Sequence, residues 1–129
     1  MNTRYGLSHA VGHKIGPRWH IPHGVTSCIS LPPAMRFMAG AAPERFRLVV
    51  EMLGVDRAQD RGTQALACVD AVAAFISGLG MPTRLREYEV EEAELDEVVS
   101  RLHEQVTQSG TVGRAVSVAE LREVVHACW

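Results

Sequence analysis

Six histidines occur in the 129 residues, and four of them fall within residues 9–23, in the run Ser-His9-Ala-Val-Gly-His13-Lys-Ile-Gly-Pro-Arg-Trp-His20-Ile-Pro-His23-Gly. Neutral imidazole is the commonest protein ligand for transition metals such as zinc and iron(II), and it titrates near neutral pH, so it also serves as a general acid or base. If residues 6–15 are helical, His9 and His13 stand four apart on one face, close enough to touch one ion or to line one pocket. Gly16-Pro17 then predicts a helix break, and Pro22 sets His23 at the start of the next apolar segment, residues 25–31. A short loop of that kind can return His23 to the vicinity of His9. Two or three imidazoles would converge there, whereas a protein metal site takes three or four ligands. His-x-x-x-His alone is as much a surface pattern as a ligand pattern; His23 and the intervening Gly12, Gly16 and Gly24 argue for a pocket.

Other donors are less well placed. Asp56 and Asp60 lie near a helix boundary, Asp70 is isolated, and the acidic run of residues 89–97 reads as a solvated helix face. His20 could rotate toward the site, while His103 and His126 belong to distant helices. Cys28, Cys68 and Cys128 are odd in number, widely spaced and set among apolar residues, the pattern of reduced core thiols in a cytoplasmic protein. Trp19 and Trp129 read as packing residues.

The elements that must position these groups are helices. Phe46, Val49, Val50 and Leu53 repeat at i, i+3, i+4 and i+7 behind Pro43, predicting an amphipathic helix over 44–53. Residues 62–79, with Leu66, Val69, Ala73 and Ile76, predict a longer, deeply buried central helix ending at Gly78 and Gly80. Leu95, Val98, Val99 and Leu102 mark a helix over 91–105. Ser117 and Glu120 form a capping box, and Val118, Leu121, Val124 and Val125 supply the buried stripe of a last helix. Residues 83–90 could be extended, and 109–117 is polar enough for an exposed loop. Alternating strand patterns and hairpin turns are scarce, so the expected fold class is all-α, a helical bundle.

Composition narrows the function. With 47% hydrophobic and 22% charged residues, the chain describes one domain, 1–129, able to bury about 65–70% of its unfolded surface without disulfides or a structural metal. The arginines are dispersed and the net charge is −2, which argues against a nucleic-acid partner. No apolar run reaches the roughly 18 residues of a membrane span and no secretory leader is visible, so no membrane partner is expected. A nucleotide-binding α/β domain usually needs about 150 residues of its own.

The run GLSHAVGHKIGPRWHIPHGVTSCISLPPAMRF, residues 6–37, resembles the signature of the iron-containing alcohol dehydrogenases: GxxHxxxHxxG, a spacer, PHG, an apolar stretch and LPxxMRF. Its details, HGVTSCISLP above all, resemble the maleylacetate reductase-like branch. Pro33 and Met38 depart from the histidine and asparagine frequent at those places. The family's C-terminal domain is a helical bundle, and a divalent iron or zinc is held between it and a preceding nucleotide-binding domain by one aspartate and three histidines. The resemblance implies that His9 and His23 match two of the histidine ligands and that His13 matches an intervening histidine lining the nicotinamide and substrate pocket. The ion would polarise a substrate oxygen during hydride transfer, and His13 would position substrate or relay a proton.

The family's glycine-rich nucleotide loop and its Asp-x-x-x-His pair lie upstream of the matching region, and only five residues precede Gly6. The expectation is therefore a single helical metal-binding domain without the nucleotide-binding domain. NAD(P) would enter only through a nucleotide-binding partner chain. Two alternatives stand beside this reading: a stand-alone domain whose histidine pocket has been repurposed and is completed in a homo-oligomer, and a vestigial bundle without activity.

Overall fold

The structure, a computed structural model, describes residues 6–110 and 112–129. Six α-helices follow one another: α1 (Leu7–Trp19), α2 (His23–Ala41), α3 (Arg47–Leu53), α4 (Arg61–Gly78), α5 (Leu95–Ser109) and α6 (Val118–His126). Short 3₁₀ turns precede α3 (Pro43–Phe46), follow α4 (Leu85–Tyr88) and lead into α5 (Glu92–Glu94). No strand occurs among the described residues, so the chain is all-α, as expected. No helix is long and apolar enough to cross a membrane among them.

The main core joins α1, α2, α5 and α6. Val11 and Ile15 of α1, Ile29 of α2, Val99 and Leu102 of α5 and Leu121 and Val125 of α6 are almost wholly buried within it. The predicted stripe of α5 is buried at all four positions. Ser117 and Glu120 form the expected reciprocal cap on α6, with Ser117 Oγ accepting from Glu120 N at 3.2 Å and Glu120 Oε2 accepting from Ser117 N at 2.8 Å. Val118, however, is 45% exposed at the first position of the helix. Trp19 and Trp129 pack on the edge of this core.

Helix α4 is not central. Its Ala65, Cys68 and Val69 meet Ala39, Phe46 and Val50 in a second, smaller cluster, while Leu66 at 40% and Phe75 at 67% exposure flank that face. Apolar composition all round the helix hid the fact that only one face has a neighbour. The helix expected over 44–53 begins as a 3₁₀ turn, burying Phe46 and Val50 but leaving Leu53 exposed. The segment expected to be extended, 83–90, forms no strand: Arg84 is extended, but Leu85–Tyr88 make a 3₁₀ turn, and Leu85 N donates to the Cys128 carbonyl at 2.8 Å. The loop before α6 is anchored rather than fully exposed, since Val112 and Val116 are buried and His103 Nε2 lies 3.1 Å from the Val116 carbonyl.

Two thiols occupy the core. Burial pushes Cys128 up to about 12 and also raises Cys68, whereas Cys28 is only half-buried.

Candidate metal centre

Helix α1 carries the first two imidazoles. Residues four apart share a face, and the His9 and His13 rings stand with centroids 4.1 Å apart. The predicted break at Gly16-Pro17 does not occur; Pro17 lies inside α1, which runs on to Trp19. Proline removes only the bond that would end on the His13 carbonyl, and the helix closes one turn later. There His20 adopts the left-handed conformation (φ 51°), and the backbone N–H groups of His20 and Ile21 both return to the Gly16 carbonyl.

The turn is short and tightly held. Ile21 is buried, Pro22 is extended at the N-cap, and His23 is the first residue of α2, which continues through Pro32 and Pro33 to Ala41. The Thr26 and Ser27 hydroxyls each donate to the His23 carbonyl at 2.9 Å. Helices α1 and α2 approach closely because Gly12 and Gly16 have no side chains. A Cβ on Gly12 would stand 3.0 Å from Thr26 Oγ1, and one on Gly16 would stand 3.1 Å from the Ile21 carbonyl oxygen. Further along the same seam, Ser8 and Ser30 hydroxyls lie 2.9 Å apart and Ser30 donates to the Ser8 carbonyl at 3.0 Å.

That approach brings His23 to within 5.0 Å of His9 and 5.5 Å of His13, ring centroid to ring centroid. One nitrogen from each of the three rings lies within 4.8 Å of the others. His9 is half-buried, and the other two are exposed. Burial, with His13 and His23 adding, holds the His9 imidazole below its ordinary value and so favours the neutral form that can donate a lone pair to a metal. Among the described residues this is the one group of three or more metal-ligating side chains so arranged.

Beside it a cavity of about 290 Å³ is lined by His13, Gly16, Pro17, His20, His23 and Thr26 among others. His20 thus borders the site. His103 and His126 do not: His126 lies 3.2 Å from Glu92 and 3.3 Å from Asp96. The acidic segment is not merely a solvated face, because Arg18 of α1 reaches Glu97 at 2.5 Å and Glu94 at 3.3 Å, tying α1 to α5. The other carboxylates also have local roles. Asp60 caps α4 by accepting from Gly62 N and Thr63 N, Asp70 pairs with Arg36 at 2.6 Å, and Asp56 accepts from Ala58 N. Sequence reasoning missed Thr26, the side chain against which Gly12 packs and which braces the His23 turn; the i, i+4 glycines of α1 were its signal.

The comparisons with known proteins agree with this architecture. Residues 1–128 match the description "Fe-containing alcohol dehydrogenase family, C-terminal". Lactaldehyde reductase of Escherichia coli (strain K12) is 28% identical over 129 residues, covering 99% of this chain and 34% of that protein. The 1,3-propanediol dehydrogenase of Citrobacter freundii is 33% identical over 95 residues, covering 72% and 24%. Among solved structures, an alcohol dehydrogenase from Oenococcus oeni superposes with a TM-score of 0.86 at 19% identity, covering 99% of this chain and 33% of that one. NADH-dependent butanol dehydrogenase A from Thermotoga maritima gives 0.77 at 18% identity, covering 95% and 32%. The chain spans about a third of the length of the curated relatives it matches along its whole length. A helical chain that matches this family's C-terminal description from end to end and shares the fold of solved alcohol dehydrogenases belongs to the Fe-containing alcohol dehydrogenase family, as its C-terminal domain.

Proposed function

We propose that this chain is the metal-binding helical portion of an iron-type oxidoreductase that interconverts alcohols and carbonyl compounds with NAD(P), the nucleotide site being supplied by a nucleotide-binding domain. The observation that carries this reading is the convergence of His9, His13 and His23, with ligand nitrogens within 4.8 Å of one another. The donor set fits a divalent iron or zinc ion, both of which accept neutral imidazole. His9 and His23 would hold it, and when bound it supplies Lewis acidity toward a substrate oxygen. His13 borders the adjoining cavity, where it can orient that oxygen or exchange a proton with it.

An apolar groove also supports a docked nucleotide-binding partner. Leu7, Leu31, Met35, Met38, Phe46 and Val49 line a hollow of about 390 Å³ beside Gly6. The narrower maleylacetate reductase-like assignment rests on residues 23–32 and predicts preference for an acidic, unsaturated oxo substrate. The free cysteines suit a reducing compartment such as the cytoplasm.

The test mixes the chain with a candidate partner carrying a glycine-rich loop and Asp-x-x-x-His, then follows NAD(P)H turnover over a panel of aldehydes and oxo acids. Turnover is expected only with both chains and metal, and should vanish in His9→Ala or His23→Ala. No gain on adding the partner sinks the reading.

A further inference from the structure

We propose that the cavity enclosed by α2, α4, the segment that follows α4 and Ala127 is a binding site for a small carboxylate with an apolar body. The cavity shares no residue with the group His9, His13 and His23, and the inference does not depend on the reading above.

Two arginines from separate parts of the chain line this cavity of about 350 Å³: Arg36 of α2 and Arg84 of the segment after α4. Each is held in place by a contact that leaves it donors to spare. Arg36 gives one terminal nitrogen to Asp70 of α4 at 2.6 Å, and Arg84 gives one to the Ala127 carbonyl at 2.6 Å. A guanidinium carries five N–H donors in a fixed fork, so both retain donors for a further acceptor. The acceptor on Arg84 is neutral and does not cancel its charge. The Glu87 carboxylate is taken up by the backbone N–H groups of Thr83 and Arg84, both at 3.0 Å. Side chains held beforehand lose less freedom when a ligand arrives.

No aspartate or glutamate lines the cavity. The larger hollow between α3 and α4, about 500 Å³, differs in this respect, because Glu44 and Glu51 stand against its arginines. Two guanidinium groups without a lining carboxylate select an anion, and Ser77 and Thr83 add hydroxyls that can donate to it. A carboxylate matches the guanidinium fork in shape as well as in charge. The remaining wall is aliphatic: Ile29, Pro32, Pro33 and Ala73. A compact hydrated anion leaves that wall wet, whereas a carboxylate carried on a ring or a short hydrocarbon covers it. The volume lies within the range of small-molecule pockets, roughly 300–1,000 Å³.

Sodium benzoate, titrated into the 129-residue chain and followed by ¹H–¹⁵N NMR, should shift the amides of Ser77, Thr83 and Arg84 in a saturable way. Benzamide keeps the ring without the charge, and inorganic phosphate keeps a charge without the apolar body. Each should bind about 10-fold more weakly than benzoate or worse. Arg84→Gln and Arg36→Gln should each weaken benzoate binding by about 10-fold or more, while Arg57→Gln, in the hollow between α3 and α4, should leave it unchanged. The amide spectrum of each variant reports whether it is folded. The absence of a saturable shift with benzoate overturns the proposal, and so does equal affinity for benzamide, which denies recognition of the charge. Phosphate binding as tightly as benzoate overturns the apolar part of the site, and these three outcomes are read on the wild type without any substitution. Benzoate affinity unchanged in both folded Arg36→Gln and Arg84→Gln also overturns it.

Discussion

Gly12 on α1 lies so close to Thr26 on α2 that a Cβ added to it would stand 3.0 Å from the threonine hydroxyl oxygen. That oxygen is not free to retreat. Thr26 is 1% exposed, and its hydroxyl donates to the His23 carbonyl, so displacing it disturbs the turn on which His23 sits. The width of one missing side chain thus sets the distance between the imidazoles of two helices.

Gly12→Val is accordingly expected to destabilise the fold by about 1–3 kcal/mol through overpacking, despite removing a helical glycine. It should also weaken zinc binding, because α2 carries His23 with it. Gly40→Ala, at an exposed position of α2 where a Cβ meets nothing within 4 Å, should instead stabilise by about 0.4–1 kcal/mol and leave zinc binding unchanged. Chemical denaturation paired with zinc calorimetry distinguishes the two effects.

Metal addition should raise the melting temperature of the isolated chain. An ion that binds only the folded state at 100 times its dissociation constant contributes about 2.7 kcal/mol. The expected shift disappears on adding EDTA and in the His9→Ala/His23→Ala double variant. An unchanged melt across a wide range of zinc concentration would contradict metal binding at this site.

Acid should weaken the last helix in a defined window. Hydrogen bonding from Arg114, together with the Ser117 backbone and hydroxyl, brings the Glu120 carboxyl from its ordinary 4.5 down to about 2. A depressed folded value means that the charged form is bound more tightly in the native state, so its contribution is full above pH 4.5 and is lost as pH falls toward 2. Glu120→Gln keeps an acceptor but removes the charge. Its melting temperature should fall below that of wild type at pH 7, and the gap should close by about pH 2.

Burial should separate two apolar substitutions of similar chemistry. Leu102→Ala empties a fully buried site between α5 and its neighbours and is expected to cost about 2–5 kcal/mol. Phe75→Ser, at a residue 67% exposed on α4, should change stability by no more than about 0.5 kcal/mol. Urea denaturation of both variants checks the expectation, and a comparable loss in Phe75→Ser would contradict the one-sided packing of α4.

Much of this was legible in the linear pattern. The stripe Leu95, Val98, Val99, Leu102 and the Ser117–Glu120 cap place α5 and α6 correctly, because both signals act within one or two turns. The pairing of His9 with His13 is equally local. Pro17 misled because a proline in the last turn removes a single bond that the left-handed His20 closure makes dispensable. Leu66 misled because an apolar residue declares no direction: whether it is buried depends on which helix arrives opposite it. The ties from Arg18 to Glu94 and Glu97 join residues more than 70 positions apart, and no periodicity reports them.

By itself the sequence determined that the chain is helical, which residues face inward on α5 and, Val118 aside, on α6, and which family its histidine and Pro-His-Gly run resembles. These follow from interactions along a few turns of chain and from residue types at given spacing. Only the tertiary structure decided that His23 comes to 5.0 Å from His9 and 5.5 Å from His13, that His20 borders rather than joins the cluster, and that α4 packs by one face. The histidine placements depend on how closely α1 and α2 can approach across Gly12 and Gly16, and the packing of α4 depends on which elements stand opposite it. An interhelical distance is set by the side chains of both partners at once.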